Sequence, residues 1–237
     1  MNRQRRRVNP KNCLNLPVRP STKAPRPLPS LFAGSRWLIQ RGALLLLVFL
    51  SGCVSLEKSY PDRRYFALEL APGKTPNSTS DRILSVASLR ISPRYADRSF
   101  VYRTSTAAYE ADFYNQFLTA PDSMIAEELR KGLAASELFK YVVGPSNSLQ
   151  PNYVLEGSIN ALYGDFRDPK QAAGVLSIRF VFFDAPNETP GSVLFQKNYS
   201  RRIPFKTRTA AALMTAWNEA LTQILTDLTA DLKKRNL

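Results

Sequence analysis

Nine consecutive small or apolar residues, Gly42 to Leu50, stop abruptly at Ser51-Gly52-Cys53, and nothing acidic precedes them. As a helix this run would rise about 14 Å, less than half of a ~30 Å hydrocarbon core, too short for a stable transmembrane span. A buried core helix is disfavoured as well, because the run has no polar stripe and follows a Pro-rich, wholly basic leader. Arg36 and Arg41 stand just ahead of it. A charged region, an apolar region and a small-residue stop together have the shape of a secretory signal. The folded body is therefore expected only from Cys53 onward.

That division changes what the charge means. A net charge of +14 and an isoelectric point near 10 would ordinarily point to nucleic acid or an anionic membrane. Ten of the 33 basic side chains, however, are Arg3, Arg5, Arg6, Arg7, Lys11, Arg19, Lys23, Arg26, Arg36 and Arg41. Removing them leaves 23 against 19 acidic residues, a net of +4 from Cys53 on, and no nucleic-acid partner is expected. Histidine is absent, and the two cysteines are Cys13 and Cys53. This excludes a His general base, Ser-His-Asp and Cys-His nucleophile pairs, and zinc sites of the usual Cys/His kind, so no catalytic or metal site of those kinds is expected.

The leader is long for the basic part of a signal, and Pro17, Pro20, Pro25, Pro27 and Pro29 argue against packed structure in it. The next methionine is Met124, so a mis-set start would place the true one at a non-Met codon near Leu28 or Leu31. A disordered extension is the other reading.

Leu50-Ser51-Gly52-Cys53 resembles the lipobox of bacterial lipoproteins at all four positions. Small residues at 51 and 52 let an extended backbone enter a protease cleft, and a cysteine thiolate accepts the lipid. The resemblance implies a diacylglyceryl thioether and an N-acyl chain on Cys53, and no other cofactor. Two or three chains hold a protein stably at a bilayer where one does not. Val54 follows the cysteine where Asp would favour inner-membrane retention in enteric bacteria, so the outer membrane, periplasmic face, is the expected location.

Residues 53–64 read as a lipidated tether and 65–237 as one α+β domain. Phe66, Leu68 and Leu70 alternate on one side of a strand over 65–70, and Ile83 to Ile91 is a second, central strand. Ser99 to Thr104 supplies a third. A helical stretch is expected next, interrupted at Pro121, with the main helix from Pro121 to Ser136 carrying Ile125, Leu129 and Leu133 on one face. Tyr153 to Phe166, Val175 to Asp184 and Val193 to Ile203 form an antiparallel meander, with Leu176, Ile178, Phe180 and Phe182 pointing at the helices. Leu213, Trp217, Ala220, Leu221, Ile224, Leu228 and Leu232 mark the last helix. This order predicts a mainly antiparallel sheet of about six strands with two principal helices on one face.

Four segments carry a family resemblance: Tyr65-Phe66-Ala67-Leu68; Ser92-Pro93-Arg94-Tyr95-Ala96-Asp97-Arg98 with Val101-Tyr102-Arg103; Ala108 to Phe117; and the meander followed by a long helix. They resemble the ABC-type transport auxiliary lipoproteins, whose PqiC-like members serve MCE systems. What the resemblance implies is an outer-membrane subunit of an intermembrane lipid transport system. It would dock a periplasmic MCE-domain protein and, through it, an inner-membrane ABC permease and ATPase. Membrane lipid is the other implied partner, and a homo-oligomer stays open.

Tyr95, Asp97, Arg98, Tyr102 and Arg103 combine aromatic and guanidinium groups, the types that dominate binding hot spots, and form the candidate partner interface. The plainer reading is that Tyr102 is core, that Arg103 pairs with Asp97 or Glu110, and that the motif fixes a turn. Arg201, Arg202, Lys206 and Arg208 are a basic group facing either lipid phosphates or solvent. Two acidic pairs, Asp165 with Asp168 and Glu110 with Asp112, are what a periplasmic hydrolase would have to use. A structural or assembly lipoprotein of the envelope is the principal alternative.

Overall fold

The computed structural model describes residues 62–71, 78, 80–185 and 192–235; the signal and the lipobox residues Leu50, Ser51, Gly52 and Cys53 lie outside them. In chain order the elements are β1 (Arg64–Phe66), β2 (Ile83–Val86), β3 (Arg90–Ile91), β4 (Ser99–Arg103), β5 (Tyr109–Phe117), α1 (Pro121–Ala135), β6 (Tyr141–Val143), β7 (Tyr153–Asp165), β8 (Ala172–Asp184), β9 (Val193–Phe205) and α2 (Ala210–Lys233). The class is the α+β arrangement expected, with two helices on a multi-stranded sheet, although nine strands form among the described residues where about six were anticipated.

The sheet is organised by β7. One edge pairs antiparallel with β8 over its whole length, and β8 pairs the same way with β9, so the long ladders are the meander. The other edge of β7 is lined in turn by β2, β3 and β4, all parallel to it. Shorter ladders then extend the sheet: β6 lies parallel beside β2 at one end, while at the other β5 lies antiparallel beside β4 and β1 lies parallel beside β5. These short strands are what the sequence pattern did not separate.

Ile83 to Ile91 is not one strand, because Ala87 to Leu89 bulge between β2 and β3. The bulge turns Leu89 into the core at Gly157, where even a Cβ would lie 2.4 Å from the Leu89 Cδ2. The missing side chain on β7 is the room the Leu89 side chain fills. The expected helical stretch before Pro121 is strand β5, a hairpin partner of β4. Tyr109, Phe113 and Phe117 stand four apart and mimic helical spacing. The chain nevertheless reverses at Ser105, whose hydroxyl accepts from the Ala108 N–H at 3.0 Å, while Thr104 N–H donates to the Ala108 carbonyl at 3.0 Å.

The first strand also stops early, at Phe66. Beyond it the backbone crosses to the helices, with Leu70 N–H donating to Glu128 Oε2 at 2.8 Å and Glu69 N–H to Asn218 Oδ1 at 3.2 Å. Side chains replace the lost ladder partners, as buried amides require.

The core lies between the sheet and the helices. Leu176, Ile178, Phe180 and Phe182 of β8 are wholly buried on one face, as the period of two predicts, and so are Leu213, Trp217, Leu221, Ile224, Leu228 and Leu232 of α2. Trp217 packs edge-on against Phe100 and stacks on Phe117, tying β4 and β5 to the same core. Helix and sheet come close at Gly174, where a Cβ would sit 2.9 Å from the Ala216 Cβ. The two helices approach as closely at Gly132, against Leu225. Thr209 caps α2, its Oγ1 accepting from Ala212 N–H at 3.2 Å.

Candidate functional site

The five residues expected to form one interface are divided by the fold. Tyr95 sits in a single turn of 3-10 helix, Pro93–Tyr95, and is only 4% exposed, its ring stacked 6.0 Å from that of Tyr163. It is therefore not an exposed contact residue. Burial pushes its hydroxyl above the usual tyrosine range, and the neighbouring Tyr109 and Tyr163 add to the effect.

Tyr102 is half-buried, with its ring edge-on to Phe166 at 5.0 Å and its hydroxyl donating to Asp112 Oδ2 at 2.6 Å. Desolvation, and then the Asp112 carboxylate, keep the Tyr102 hydroxyl protonated far above the ordinary tyrosine value.

Asp112 is the fixed point of this end of the molecule. The β4–β5 ladder shifts register between Ser99 paired to Gln116 and Val101 paired to Ala111, so several residues of β5 bulge out. Asp112 holds that bulge. Its Oδ1 accepts from the N–H groups of Tyr114 at 2.8 Å and Asn115 at 3.0 Å, and its Oδ2 accepts from the Tyr102 hydroxyl and from Asn115 Nδ2, both at 2.6 Å. Burial alone would raise its carboxyl, but these hydrogen bonds outweigh it and hold the group below the usual carboxylate range.

Asp97 is exposed and Arg98 partly buried, and both serve the turn into β4. Asp97 Oδ1 accepts from Arg98 N–H at 2.6 Å, and Arg98 Nε donates to the Phe117 carbonyl at 2.9 Å. Arg103 pairs with neither Asp97 nor Glu110; it donates to the Thr106 carbonyl at 2.8 Å and lies 5.6 Å from the Tyr109 ring centroid. This corrects the ion pair that proximity in sequence implied, because β4 points Arg103 toward the hairpin turn.

Two further arginines repeat the arrangement. The Arg98 guanidinium lies 5.3 Å from the Tyr65 ring and that of Arg63 lies 4.2 Å from the Phe113 ring. Tyr65 and Phe113 were not anticipated as surface residues. The signal was present: Phe66 faces the core through Phe100, so its neighbour Tyr65 has to face away from it.

Asp165 and Asp168 are engaged separately and share no proton. Asp165 is 2% exposed and receives both Nε at 2.9 Å and Nη2 at 2.8 Å from Arg167, with Arg202 at 3.5 Å. The hydrogen bonds from Arg167 hold its carboxyl down to about 2. Asp168 instead fixes its own loop by accepting from Lys170 N–H at 2.8 Å. The basic group is dispersed too. Arg201 pairs with Asp227 of α2, Arg202 with Asp165 on the opposite face of the sheet, and Arg208 covers Phe166 at 4.8 Å.

A cleft of about 490 Å³ opens beside the start of α2, lined by Arg64, Tyr102, Asp112, Phe166, Arg208 and Thr209. Two carboxylates line it: Asp112, which already accepts four hydrogen bonds, and the exposed Glu110. Among the described residues no group of three or more Asp, Glu, Cys or His side chains is placed to hold a metal ion, and no helix is long and apolar enough to cross a membrane.

Neither a protein-family model nor a curated protein matches the chain. Solved structures do. A Xanthomonas campestris protein assigned to family DUF330 is 14% identical, with a TM-score of 0.62 over 73% of this chain and 98% of that one. The crystal structure of an uncharacterized protein, also 14% identical, gives a TM-score of 0.58 over 72% and 99%. At such identity the likeness is one of fold.

Proposed function

We propose that this chain is an outer-membrane lipoprotein subunit of an ABC/MCE-type intermembrane lipid transport system, held by acyl chains on Cys53 and docking the periplasmic MCE protein at the bilayer. The observation that carries the reading is Leu50-Ser51-Gly52-Cys53, placed directly after a short apolar run and eleven residues before β1. A lipid anchor on so short a tether makes position itself the useful property. The segments Tyr65 to Leu68 and Ser92 to Arg103 support the choice of system, because they resemble those of the auxiliary lipoproteins. The role is one of binding. Asp112 and Asp165, the carboxylates best placed for acid–base work, are both tied down by hydrogen bonds that hold them ionised.

The experiment is mass spectrometry of the protein extracted from membranes, followed by crosslinking in intact cells. Acyl chains on an N-terminal Cys53 and capture of an MCE-domain protein are the expected results. An unmodified mature chain that retains Met1 overturns the anchor. A modified chain that captures only β-barrel assembly components overturns the transport role in favour of an assembly lipoprotein.

A further inference from the structure

We infer that the β1–β5 end of the sheet is a bilayer-contacting surface, which seats the domain on anionic phospholipid beside its own anchor. The inference rests on the reading of Cys53 as lipidated, and it deepens that reading by assigning which side of the domain meets the membrane.

Three observations converge on this end. The first is composition. Phe113 is 58% exposed, Leu118 54% and Tyr65 50%, and all three lie on β1, on β5 or one residue past its end. Parallel pairing of β1 with β5 sets Tyr65 opposite Gln116, and Leu118 N–H donates to the Phe66 carbonyl at 2.8 Å, so Tyr65 and Leu118 belong to adjacent backbone, with Phe113 three residues before Gln116 on the same strand. Large exposed apolar groups clustered in this way mark an interaction surface.

The second is how the charge is arranged. Arg63 lies over Phe113 and Arg98 over Tyr65, so the rings are accompanied by cations at the same edge. Aromatic rings sit at the headgroup level of a bilayer, and long basic side chains bury their stems while their charged ends reach phosphate. A surface with both kinds of group fits an anionic lipid interface.

The third is reach. From Cys53 to Arg63 is ten residues, a span of at most about 35 Å fully extended. An anchor at Cys53 keeps the β1 end within that distance of the acyl chains. Tyr141, on β6, is half-exposed but lies at the other end of the strand order.

The test uses the native lipidated protein, purified in detergent and reconstituted into phosphatidylethanolamine–phosphatidylglycerol vesicles with brominated acyl chains. After cleavage before Cys53 the only native tryptophan is Trp217, which is wholly buried, so its constant emission reports an intact fold. Phe113→Trp and Tyr65→Trp are each expected to show severalfold stronger bromine quenching than Tyr141→Trp. Arg63→Glu, added to Phe113→Trp, is expected to weaken that quenching. Protein that floats with the vesicles while Phe113→Trp and Tyr65→Trp are no more quenched than Tyr141→Trp overturns this inference and leaves the lipoprotein reading standing. A photocrosslinker at position 113 that captures protein and no lipid in cells overturns it as well. Absence of acyl chains on Cys53 overturns both together.

Discussion

The Tyr102 hydroxyl donates to Asp112 Oδ2 at 2.6 Å, joining the end of β4 to the bulge in β5. It is one of four donors on that carboxylate, and Asp112 has no other means of holding the bulge shut. Tyr102→Phe keeps the ring on Phe166 and removes only the donor. A hydrogen bond to a charged group is worth about 1.5–3 kcal/mol, so the variant is expected to lose on the order of 2 kcal/mol in urea denaturation at neutral pH. Its Asp112 carboxyl should also titrate higher than in the parent, as carboxyl-carbon NMR would read. Unchanged stability together with an unchanged Asp112 titration would show that the bond is idle.

Asp165 makes a prediction in pH. Its carboxyl is held at about 2 by Arg167, below the ~3.9 of an unfolded chain, so its contribution is fully present above the unfolded value and is lost as pH falls through the folded one. Asp112, also lowered, acts in the same direction. Denaturation midpoints should therefore decline between about pH 4 and pH 2, and Asp165→Asn should flatten part of that decline while costing on the order of 2 kcal/mol near neutrality. The variant leaves Arg167 without its bidentate acceptor. A parent protein whose stability is flat across that acid window would contradict the assignment.

Periodicity alone revealed the two helices and the meander, because Leu176 to Phe182 and Leu213 to Leu232 each repeat one unbroken period against one core. It failed where a side chain is placed by a distant partner. Nothing local distinguishes Tyr109, Phe113 and Phe117 in a strand from the same spacing in a helix; the Ser105 turn and the pairing to β4 decide it. The break at Ala87 to Leu89 depends on the space at Gly157, which lies 68 residues beyond Leu89. The candidate interface was legible as residue types but not as a surface. Alternation along β4 and a buried turn at Tyr95 send its members to different sides, and exposed Tyr65 is set beside β5, the strand that carries exposed Phe113, by a parallel ladder that no short-range pattern announces.

Gly132 and Leu225 are expected to be strongly coupled. A Cβ on Gly132 would lie 2.0 Å from the Leu225 Cδ2, so Gly132→Ala forces the two helices or the Leu225 rotamer to give way. Overpacking of this kind typically costs about 1–3 kcal/mol. Leu225→Ala should recover most of that loss in the double variant, although it removes apolar contact on its own, and a double-mutant cycle by thermal denaturation would read the difference. Strictly additive effects would mean that the helices are spaced more widely at this point.

Glu128 ties the chain leaving β1 to the helix layer. It is 4% exposed, accepts from Leu70 N–H through Oε2 at 2.8 Å, and receives Lys131 Nζ on Oε1 at 2.8 Å. Glu128→Ala strands the Leu70 amide at a part-buried position, where an unmade hydrogen bond costs about 1–3 kcal/mol. The neighbouring Glu69 amide keeps Asn218, so the segment should loosen without detaching. Hydrogen exchange is expected to accelerate at Leu70 far more than at β8, whose ladders do not involve Glu128. Equal protection of Leu70 in parent and variant would show that α1 holds the segment by apolar packing of Leu68 alone.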